Sequence, residues 1–403
     1  MIKKNRQYRK EIRKSLDFFG FLSDIVIMKR YLETYIMDDL TSKIILLTGP
    51  RQSGKTTLSK MIDTSYDYLN YDNLDHRMRF FEKSWDRSKK LIIFDELHKM
   101  KNWKSWIKGI YDTEGMPPSM IVTGSAKLDT YRKVGDSLAG RFFQFRLHPL
   151  DLKEIKQATN CKDLEKHLNI LLETGGFPEP YLQGNQRYYN RWKKTHLDII
   201  LKQDLIDLEN VRQITAIETL IQLLKTKVGS LISYSSLARD LQCSDKTIKQ
   251  WLTILENMYV IFKVPPFNKK ISRSILKAPK YYFYDTGQVV GDEGVKLENL
   301  IACALLKEIH FREDCLGEDG QLYFLRNKEG KEIDFLVTKL GTPTHMIEVK
   351  LADSNISPNF SIFNKYFDSI KQIQITKNIQ REKTYPNGAE IRKAHTWLAD
   401  FQL

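Results

Sequence analysis

The sequence has 403 residues, 41% of them hydrophobic and 28% charged, which is typical of a globular chain of roughly two to three domains. The net charge of +14 favours a polyanionic partner, and we expect DNA rather than a membrane surface because no basic amphipathic helix with a bulky apolar face is present. No apolar run approaches the roughly 20 residues that span a bilayer, no signal peptide is recognisable and the four cysteines are scattered, so we expect a cytoplasmic protein without a zinc site.

Residues 1–41 are predicted to form a helical lead-in. Leu16, Phe19, Leu22 and Ile25 recur at helical spacing. We expect this helical segment to pack on the domain that follows it.

A phosphate-loop pattern follows the first apolar run of the chain. Residues 43–48 are predicted to form a buried strand and residues 57–62 an amphipathic helix. The loop between them reads Gly49, Pro50, Arg51, Gln52, Ser53, Gly54, Lys55, Thr56, Thr57. Backbone N–H groups in such a loop can surround the phosphates of ATP at the positive end of the helix dipole. We expect Lys55 to contact the β- and γ-phosphates and Thr56 to bind Mg²⁺.

A second apolar strand, residues 91–94, ends in Asp95 and Glu96. This is the Walker B arrangement, in which Asp95 helps to hold Mg²⁺ and Glu96 acts as the general base on the attacking water. A strand that merely ends in an acidic turn is the alternative, and the phosphate loop upstream disfavours it. His98 has neither a triad partner nor metal-ligand spacing, and we interpret it as a polar residue after the strand.

Further strands are predicted at residues 66–71, 120–123 and 142–147, which together give residues 42–150 the α/β pattern of a parallel sheet. Ser125 follows one of these strands and is our candidate for a polar sensor of the γ-phosphate. Arg141 precedes another and is our candidate arginine finger, acting within the chain or on a neighbour. A small residue in a tight turn and a solvated arginine are the respective alternatives.

Residues 151–213 are predicted to be a helical lid, and residues 214–290 a winged helix. Residues 237–241 and 245–252 have helical spacing with a short turn between them. The second helix would present Lys246, Lys249 and Gln250 to a DNA groove. A basic run would form the wing and contact phosphates: Lys269, Lys270, Arg273, Lys277, Lys280. A winged helix used only for protein packing is the alternative.

The last predicted domain, residues 291–403, contains acidic residues on strands. Residues 332–337 and 346–350 have strand character, and strand alternation places Glu348 and Lys350 on one face. If the polar faces of the two strands meet, Asp334 joins them, and Glu298 can approach from a helix. Carboxylates can hold Mg²⁺ or Mn²⁺, and a lysine beside them can stabilise a reacting phosphate. A surface cluster of ion pairs is the alternative.

The whole pattern resembles a family of bacterial and archaeal AAA-type ATPases that carry a winged helix and a C-terminal PD-(D/E)xK nuclease-like domain. The motifs that carry the resemblance are residues 49–57, 94–96, 137–141, 175–179, 284–287, 332–335 and 347–350. The resemblance implies ATP binding at Lys55 and Thr56, hydrolysis through Asp95 and Glu96, and a nuclease-type site. Residues Asp334, Glu348 and Lys350 would form that site. Ile333 stands where the family fold has its leading proline, which leaves the carboxylates in place.

The expected fold class is therefore α/β: a P-loop (AAA-type) parallel-sheet ATPase domain with a helical lid, a winged helix and a C-terminal α/β restriction-endonuclease-like domain. The leading functional hypothesis is ATP-dependent DNA processing, with nuclease action as an open question. One alternative is an NTP-dependent switch whose C-terminal domain is a binding scaffold. Another is a DNA-binding regulator, and the chain is also a candidate for homo-oligomer formation.

Overall fold

A computed structural model describes residues 28–116, 118–124, 138–201, 214–268, 278–367 and 369–403. Within these ranges the helices are α1 Glu33–Asp39, α2 Lys55–Ile62, α3 Leu74–Glu82, α4 Trp103–Glu114, α5 Leu152–Thr159, α6 Leu164–Thr174, α7 Pro178–Gln183, α8 Gln186–Ile199, α9 Ile214–Lys225, α10 Tyr234–Asp240, α11 Asp245–Asn257, α12 Glu293–Leu316, α13 Asn359–Asn364 and α14 Ala394–Asp400. No helix in the described ranges has both the length and the apolar character needed to cross a membrane.

The strands of the same ranges are β1 Ile44–Thr48, β2 Tyr66–Asn70, β3 Leu91–Asp95, β4 Ser119–Gly124, β5 Phe142–Arg146, β6 Ile261–Val264, β7 Lys280–Phe283, β8 Gly320–Arg326, β9 Glu332–Lys339, β10 Thr342–Lys350, β11 Lys371–Thr376, β12 Lys383–Thr384 and β13 Glu390–Lys393. The predicted lead-in up to residue 27 and the predicted basic wing at residues 269–277 lie outside the described residues.

The first sheet has the parallel α/β architecture that the sequence predicts. Its strand order is β2-β3-β4-β1-β5, and every neighbouring pair is parallel. Strands β1 and β3 are buried along their whole length, as expected for parallel strands covered on both faces. The carboxyl ends of β1 and β3 therefore lie at the same edge of the sheet, where the phosphate loop and the acidic pair follow them.

A group of short helices, α5 to α8, follows the first sheet. Asp151 caps α5, and its carboxylate accepts a hydrogen bond from the Glu154 N–H at 2.8 Å. Asn185 caps α8 in the same way through the N–H groups of Arg187 and Tyr188. These side chains satisfy amide groups that the first turn of a helix leaves free, so the helix starts are encoded locally.

Gly176, in the turn between α6 and α7, has no room for a side chain. The Leu150 N–H donates to its carbonyl oxygen at 2.7 Å, and a Cβ at position 176 would lie 2.2 Å from the Leu150 carbonyl oxygen. We therefore expect Gly176→Ala to lower the free energy of unfolding by about 3 kcal/mol. Gly109, inside α4, has open space around it, so Gly109→Ala should raise that free energy by about 0.5–1 kcal/mol. Urea denaturation of both variants checks this, and equal stabilities would contradict it.

Two helices and a strand pair follow, in the order that the sequence predicts. Ser244 caps α11 by accepting a hydrogen bond from the Thr247 N–H at 3.1 Å, and the inward face of α11 is buried at Ile248, Leu252 and Leu255. Strands β6 and β7 are antiparallel. The side chains predicted to face a DNA groove, at Lys246, Lys249 and Gln250, are exposed.

The second sheet contains six strands in the order β12-β13-β11-β10-β9-β8. Strands β8, β9 and β10 are antiparallel neighbours, whereas β10, β11 and β13 run parallel. The 24-residue helix α12 packs beside this sheet and also reaches the first one. There Asp314 pairs with Arg146 of β5 at 2.6 Å, and His310 Nδ1 lies 2.8 Å from His148 Nε2. Helix α12 therefore contacts both sheets.

Asp285, just after β7, is buried between α8 and the strand pair. Its carboxylate accepts hydrogen bonds from the Tyr189 hydroxyl at 2.9 Å and from the Gly287 N–H at 3.2 Å. Burial raises the pKa of Asp285 to about 6, although these hydrogen bonds oppose the shift. The folded state therefore holds the proton more tightly than the unfolded state, whose carboxyl has a pKa near 3.8.

The raised pKa of Asp285 predicts a loss of stability as the pH rises. The contribution is most favourable below pH 4, and about 3 kcal/mol should be lost as the pH rises through 6. We expect Asp285→Asn to remove this part of the pH dependence, whereas Asn in place of the exposed Asp240 should not. Unfolding free energies measured between pH 4 and pH 7 test this, and parallel profiles for the parent protein and Asp285→Asn would contradict it.

Candidate functional site

The phosphate loop connects β1 to α2, and its glycines have structural reasons. A Cβ at Gly49 would lie 2.3 Å from the Leu147 carbonyl oxygen, and Gly54 has φ of +96°. The buried Lys55 ammonium donates to the carbonyl oxygens of Gly49 at 2.9 Å and Pro50 at 2.7 Å. The loop is therefore closed tightly around the first residue of the helix, with the ammonium beside the loop backbone.

Asp95 is the centre of a hydrogen-bond cluster at the end of β3. Its Oδ2 accepts from the Thr56 hydroxyl at 2.9 Å and from the Tyr68 hydroxyl at 2.6 Å, and its Oδ1 accepts from the Thr123 hydroxyl. Asp95 is only 4% exposed. The two oxygen groups predicted to share Mg²⁺, on Thr56 and Asp95, are therefore in direct contact.

Tyr68 and Thr123 were not predicted from the sequence as residues of the site. They lie in β2 and β4, the strands on either side of β3, and Thr123 is fully buried. A polar residue near the carboxyl end of a strand next to the Walker B strand was the available signal. The two hydroxyls fix the direction of the Asp95 carboxylate.

Glu96, the predicted general base, lies in a left-handed backbone conformation with φ of +55°. Burial raises its pKa to about 7, and the Lys55 ammonium opposes the shift. Glu96 Oε2 lies 3.7 Å from His98 Nδ1, and within the described structure neither buried atom has a hydrogen-bond partner. Burial lowers the pKa of His98 to about 3, with Lys99 adding to the shift, so His98 is a neutral neighbour of Glu96.

Side chains from three segments that are distant in sequence contact the phosphate loop or the residue directly before it. The Arg30 guanidinium donates to the Ser53 carbonyl oxygen at 2.8 Å, and His196 Nε2 lies 3.1 Å from the Arg51 carbonyl oxygen. The Tyr259 hydroxyl donates to Thr48 Oγ1 at 3.2 Å. Residues before the first sheet and in α8 thus contact the loop, and a residue after α11 contacts the last residue of β1, directly before the loop.

The two remaining candidates for the nucleotide site have different outcomes. Ser125 lies outside the described residues. Arg141 lies directly before β5, where the Ile44 N–H donates to its carbonyl oxygen at 3.0 Å, and its side chain pairs with Asp112 at 2.6 Å. The phosphate loop follows the opposite end of β1, roughly 16 Å away at the usual rise per residue. The interpretation of Arg141 as a finger within its own chain is therefore wrong, and its action on a neighbour stays a prediction.

Asp334 and Glu348 meet on neighbouring strands of the second sheet. The register pairs Phe335 with Ile347, and Asp334 Oδ2 accepts a hydrogen bond from the Val349 N–H at 2.8 Å. The Lys350 ammonium lies 2.8 Å from Glu348 Oε1. Burial, followed by the carboxylates of Glu298 and Glu348, raises the pKa of Asp334 well above its usual range.

Glu348 Oε2 is buried and has no hydrogen-bond partner within the described structure, and Glu348 as a whole is 3% exposed. Carboxylate oxygens are the ligands that Mg²⁺ and Mn²⁺ take. Asp334 and Glu348 therefore fit a divalent cation chemically, while their catalytic role stays a prediction.

Glu298 comes near this pair but is held by other groups. Its Oε1 accepts from the Tyr282 hydroxyl at 2.7 Å and lies 3.4 Å from the Lys280 ammonium. Among the residues that the structure describes, no three His, Cys, Asp or Glu side chains are grouped closely enough to hold a metal ion. The predicted ligand set of Asp334, Glu348 and Glu298 is thus not assembled, because Lys280 and Tyr282 engage Glu298.

Lys280 does not belong to the predicted basic wing. Its side chain is 2% exposed, and its ammonium lies 2.6 Å from Glu332 Oε1. Lys280 therefore faces the acidic residues of the last domain and is unavailable to a DNA phosphate.

Residues 41–156 match the family model described as "AAA domain". The model of a domain of unknown function, DUF8612, matches residues 165–291, and that of another, DUF4143, matches residues 293–391. The phosphate loop, Asp95 and Glu96 lie within the match to the AAA model, whereas Asp334 and Glu348 lie within the DUF4143 match.

The similarity to curated relatives extends beyond the residues that match the AAA model. An uncharacterized protein of Mycobacterium tuberculosis is 26% identical, covering 74% of this chain and 68% of the relative. Another, of Methanocaldococcus jannaschii, is 24% identical over 82% of this chain and 80% of its own length. A third, of Haemophilus influenzae, is 22% identical over 92% of this chain and 98% of its own length. The sequence similarity to these bacterial and archaeal proteins thus extends over most of this chain.

Solved structures that resemble the chain include a signal-transduction ATPase with numerous domains from Pyrococcus horikoshii. It has a TM-score of 0.24 and 11% identity, covering 72% of this chain and 48% of that one. A DNA polymerase III gamma subunit-related protein from Thermotoga maritima has a TM-score of 0.24 and 11% identity, covering 68% and 83%. Drosophila ORC bound to DNA has a TM-score of 0.23 and 10% identity, covering 67% and 84%. At these scores the neighbours carry no argument about function.

Proposed function

We propose that the chain binds ATP with Mg²⁺ at the phosphate loop and hydrolyses it, and that hydrolysis serves DNA binding or processing by the rest of the chain. The observation that carries the ATPase part is the 2.9 Å contact between the Thr56 hydroxyl and the Asp95 carboxylate. This contact joins the end of the phosphate loop to the end of β3, within the residues that match the AAA model. This pair matches the Thr and Asp that hold Mg²⁺ in phosphate-loop enzymes.

Each residue of the site has a separate task in this proposal. Lys55 exchanges its loop carbonyl partners for the β- and γ-phosphate oxygens. Thr56 and Asp95 supply hard oxygen ligands, and Tyr68 keeps the Asp95 carboxylate oriented through its hydrogen bond. When bound, Mg²⁺ neutralises charge on the phosphates. Glu96 accepts a proton from the attacking water.

ATP binding is tested by titrating a fluorescent ATP analogue into the purified protein with Mg²⁺ present. We expect saturable binding by the parent protein and none by Lys55→Ala. Lys166→Ala, which removes an exposed lysine from α6, is the matched control and should bind as the parent does. Equal binding by the parent protein and Lys55→Ala would refute the proposed site.

For the C-terminal domain we propose a metal-dependent nuclease site formed by Asp334, Glu348 and Lys350. The unpaired, buried Oε2 of Glu348 supports it, because a carboxylate oxygen without a donor is open to a cation. The exposed polar face of α11 supports DNA as the partner, together with the net charge of +14. Mg²⁺ or Mn²⁺ would serve this site.

A second candidate function is an ATP-dependent switch whose C-terminal domain binds without cutting. The ion pairs of Lys350 with Glu348 and of Lys280 with Glu332 favour it, because they neutralise carboxylates that a metal would otherwise use. Incubation of labelled linear, forked and four-way DNA with Mn²⁺ separates the two functions. Cleavage by the parent protein that Asp334→Ala abolishes supports the nuclease, whereas binding without cleavage by either protein supports the switch.

The remaining expectations are also part of the proposal. The domain bounds would be 1–41, 42–150, 151–213, 214–290 and 291–403, and the protein would act in the cytoplasm. A homo-oligomer would allow Arg141, which is far from its own phosphate loop, to reach the loop of a neighbour. Light scattering with and without ATP tests this, and a monomer under both conditions would exclude that role for Arg141.

A further inference from the structure

Lys280, the first residue of β7, is buried beside the acidic cluster of the last domain, which consists of Glu298, Glu332, Asp334 and Glu348. Its ammonium lies 2.6 Å from Glu332 Oε1 and 3.4 Å from Glu298 Oε1. Burial alone would lower the pKa of this ammonium, but the carboxylates of Glu298, Asp334 and Glu332 raise it above its usual range. Lys280 is therefore a fixed positive charge inside the cluster, although it belongs to the strand pair that precedes the second sheet.

The cluster contains more acidic than basic groups. Four carboxylates, those of Glu298, Glu332, Asp334 and Glu348, face the ammonium groups of Lys280 and Lys350, and Arg326 pairs with Glu332 from the more exposed side at 2.8 Å. One carboxylate oxygen of the cluster is not matched by a donor, because Glu348 Oε2 is buried without a hydrogen-bond partner within the described structure.

A divalent cation and the Lys280 ammonium would compete for the same carboxylates. Glu348 offers its buried, unpaired Oε2 beside Asp334. The Lys280 ammonium repels a cation placed there and also holds Glu298, the third carboxylate within reach. Repulsion between like charges at such distances in a buried site is strong. The described carboxylates are close enough to perturb one another, but no three of the described acidic side chains are grouped to hold a metal ion.

We propose that Lys280 is a built-in counter-cation of the acidic cluster, and that it sets the affinity of the Asp334 and Glu348 site for Mn²⁺ or Mg²⁺ by competing with the metal for Glu298. The proposal rests on the proposed metal-binding role of the C-terminal domain. Lys280 is here a positioning residue, since it acts on the metal through charge and through Glu298. Removing its charge should tighten metal binding and turn Glu298 into a third ligand.

The test compares Mn²⁺ binding by the full chain and its variants in isothermal titration calorimetry. We expect Lys280→Met to bind Mn²⁺ at least about tenfold more tightly than the parent protein, because a change of one charge beside a buried ionisable group commonly shifts its equilibria by a factor of ten or more. Lys263→Met removes the same charge from an exposed position on the paired strand β6, and it should bind as the parent does. Equal or weaker binding by Lys280→Met overturns the proposal.

Two further variants distinguish a failure of the metal site from a failure of the role assigned to Lys280. Asp334→Asn should lose Mn²⁺ binding, and if the parent protein and Asp334→Asn bind alike, the proposed metal site itself fails. If Asp334→Asn loses binding, that site stands and Lys280→Met alone decides the present inference. Glu298→Gln in the Lys280→Met background should return the affinity to the parent value or below.

Loss of Lys280 leaves Glu332 and Glu298 without their ammonium, so Lys280→Met is expected to unfold at a lower temperature than the parent. Mn²⁺ should raise that temperature more in Lys280→Met than in the parent protein, because the metal replaces the missing charge. A Lys280→Met protein that stays unfolded in Mn²⁺ overturns the proposal, since the metal then cannot take the place of the ammonium.

Discussion

Replacing Glu96 by Gln should lower the rate of ATP hydrolysis by about 100- to 10,000-fold, the usual contribution of a general base. Glutamine keeps the size of the side chain but cannot accept the proton of the attacking water. Lys55, Thr56 and Asp95 are unchanged in this variant, so ATP should still bind with Mg²⁺. The expected result is therefore a protein that retains ATP and turns it over very slowly.

Phosphate release under saturating ATP measures the rate, and titration of a fluorescent ATP analogue measures the affinity. Glu165→Gln, at an exposed position in α6, is the matched control and should behave as the parent protein. A Glu96→Gln protein that hydrolyses ATP at the parent rate would exclude Glu96 as the base. Loss of both binding and hydrolysis would instead assign Glu96 to nucleotide binding.

The nucleotide site was predictable from sequence because its main parts are local. The glycines, Lys55 and Thr56 lie in one loop, and Asp95 and Glu96 follow a single apolar strand. Parallel strands bring their carboxyl ends to one edge, so two separate motifs can be placed side by side without knowing the whole structure. The 2.9 Å contact between Thr56 and Asp95 agrees with that placement.

The supports behind the loop were not predictable in the same way. Arg30 and His196 each contact a carbonyl oxygen of the loop through one hydrogen bond. Tyr259 contacts the hydroxyl of Thr48, directly before the loop. Such contacts join segments up to 211 positions apart and leave no periodic pattern in the sequence. Arg141 failed for a different reason. It precedes a strand of a parallel sheet, so it lies at the edge opposite the phosphate loop, and the predicted sheet already implied this.

The acidic cluster was predicted only in part. Its carboxylates were expected to lie together, but the burial of Lys280 among them was not expected. Alternation along two strands placed Asp334 and Glu348 together, because side-chain direction in a strand has a period of two. The same alternation could be applied to Lys280 only with knowledge of what packs against β7. A run of lysines is usually solvated, and burial of one member among carboxylates follows from the contact between β7 and the last domain.

Replacing Glu154 by Gln should lower the free energy of unfolding by about 3–5 kcal/mol, the usual cost of breaking a buried ion pair by removing one partner. Glu154 is 2% exposed and pairs with Arg30 at 2.5 Å and with Lys307 at 2.7 Å. Burial opposes ionisation of this carboxyl, but the two cations still lower its pKa. Glutamine would remove the negative charge that Arg30 and Lys307 share, and Lys307 would keep its pair with Asp151 at 3.2 Å.

The same substitution should also weaken ATP binding, because Arg30 donates to the Ser53 carbonyl oxygen of the phosphate loop and Glu154 fixes the position of Arg30. Lys156 lies on α5 like Glu154, but it forms an exposed pair with Asp400 of α14. Lys156→Gln is therefore the control and should cost at most about 1 kcal/mol. Urea denaturation and nucleotide titration of both variants provide the measurements. If Glu154→Gln is as stable as Lys156→Gln, the buried network does not stabilise the fold. If it is destabilised but binds ATP as the parent does, the network supports the junction with α12 without positioning the loop.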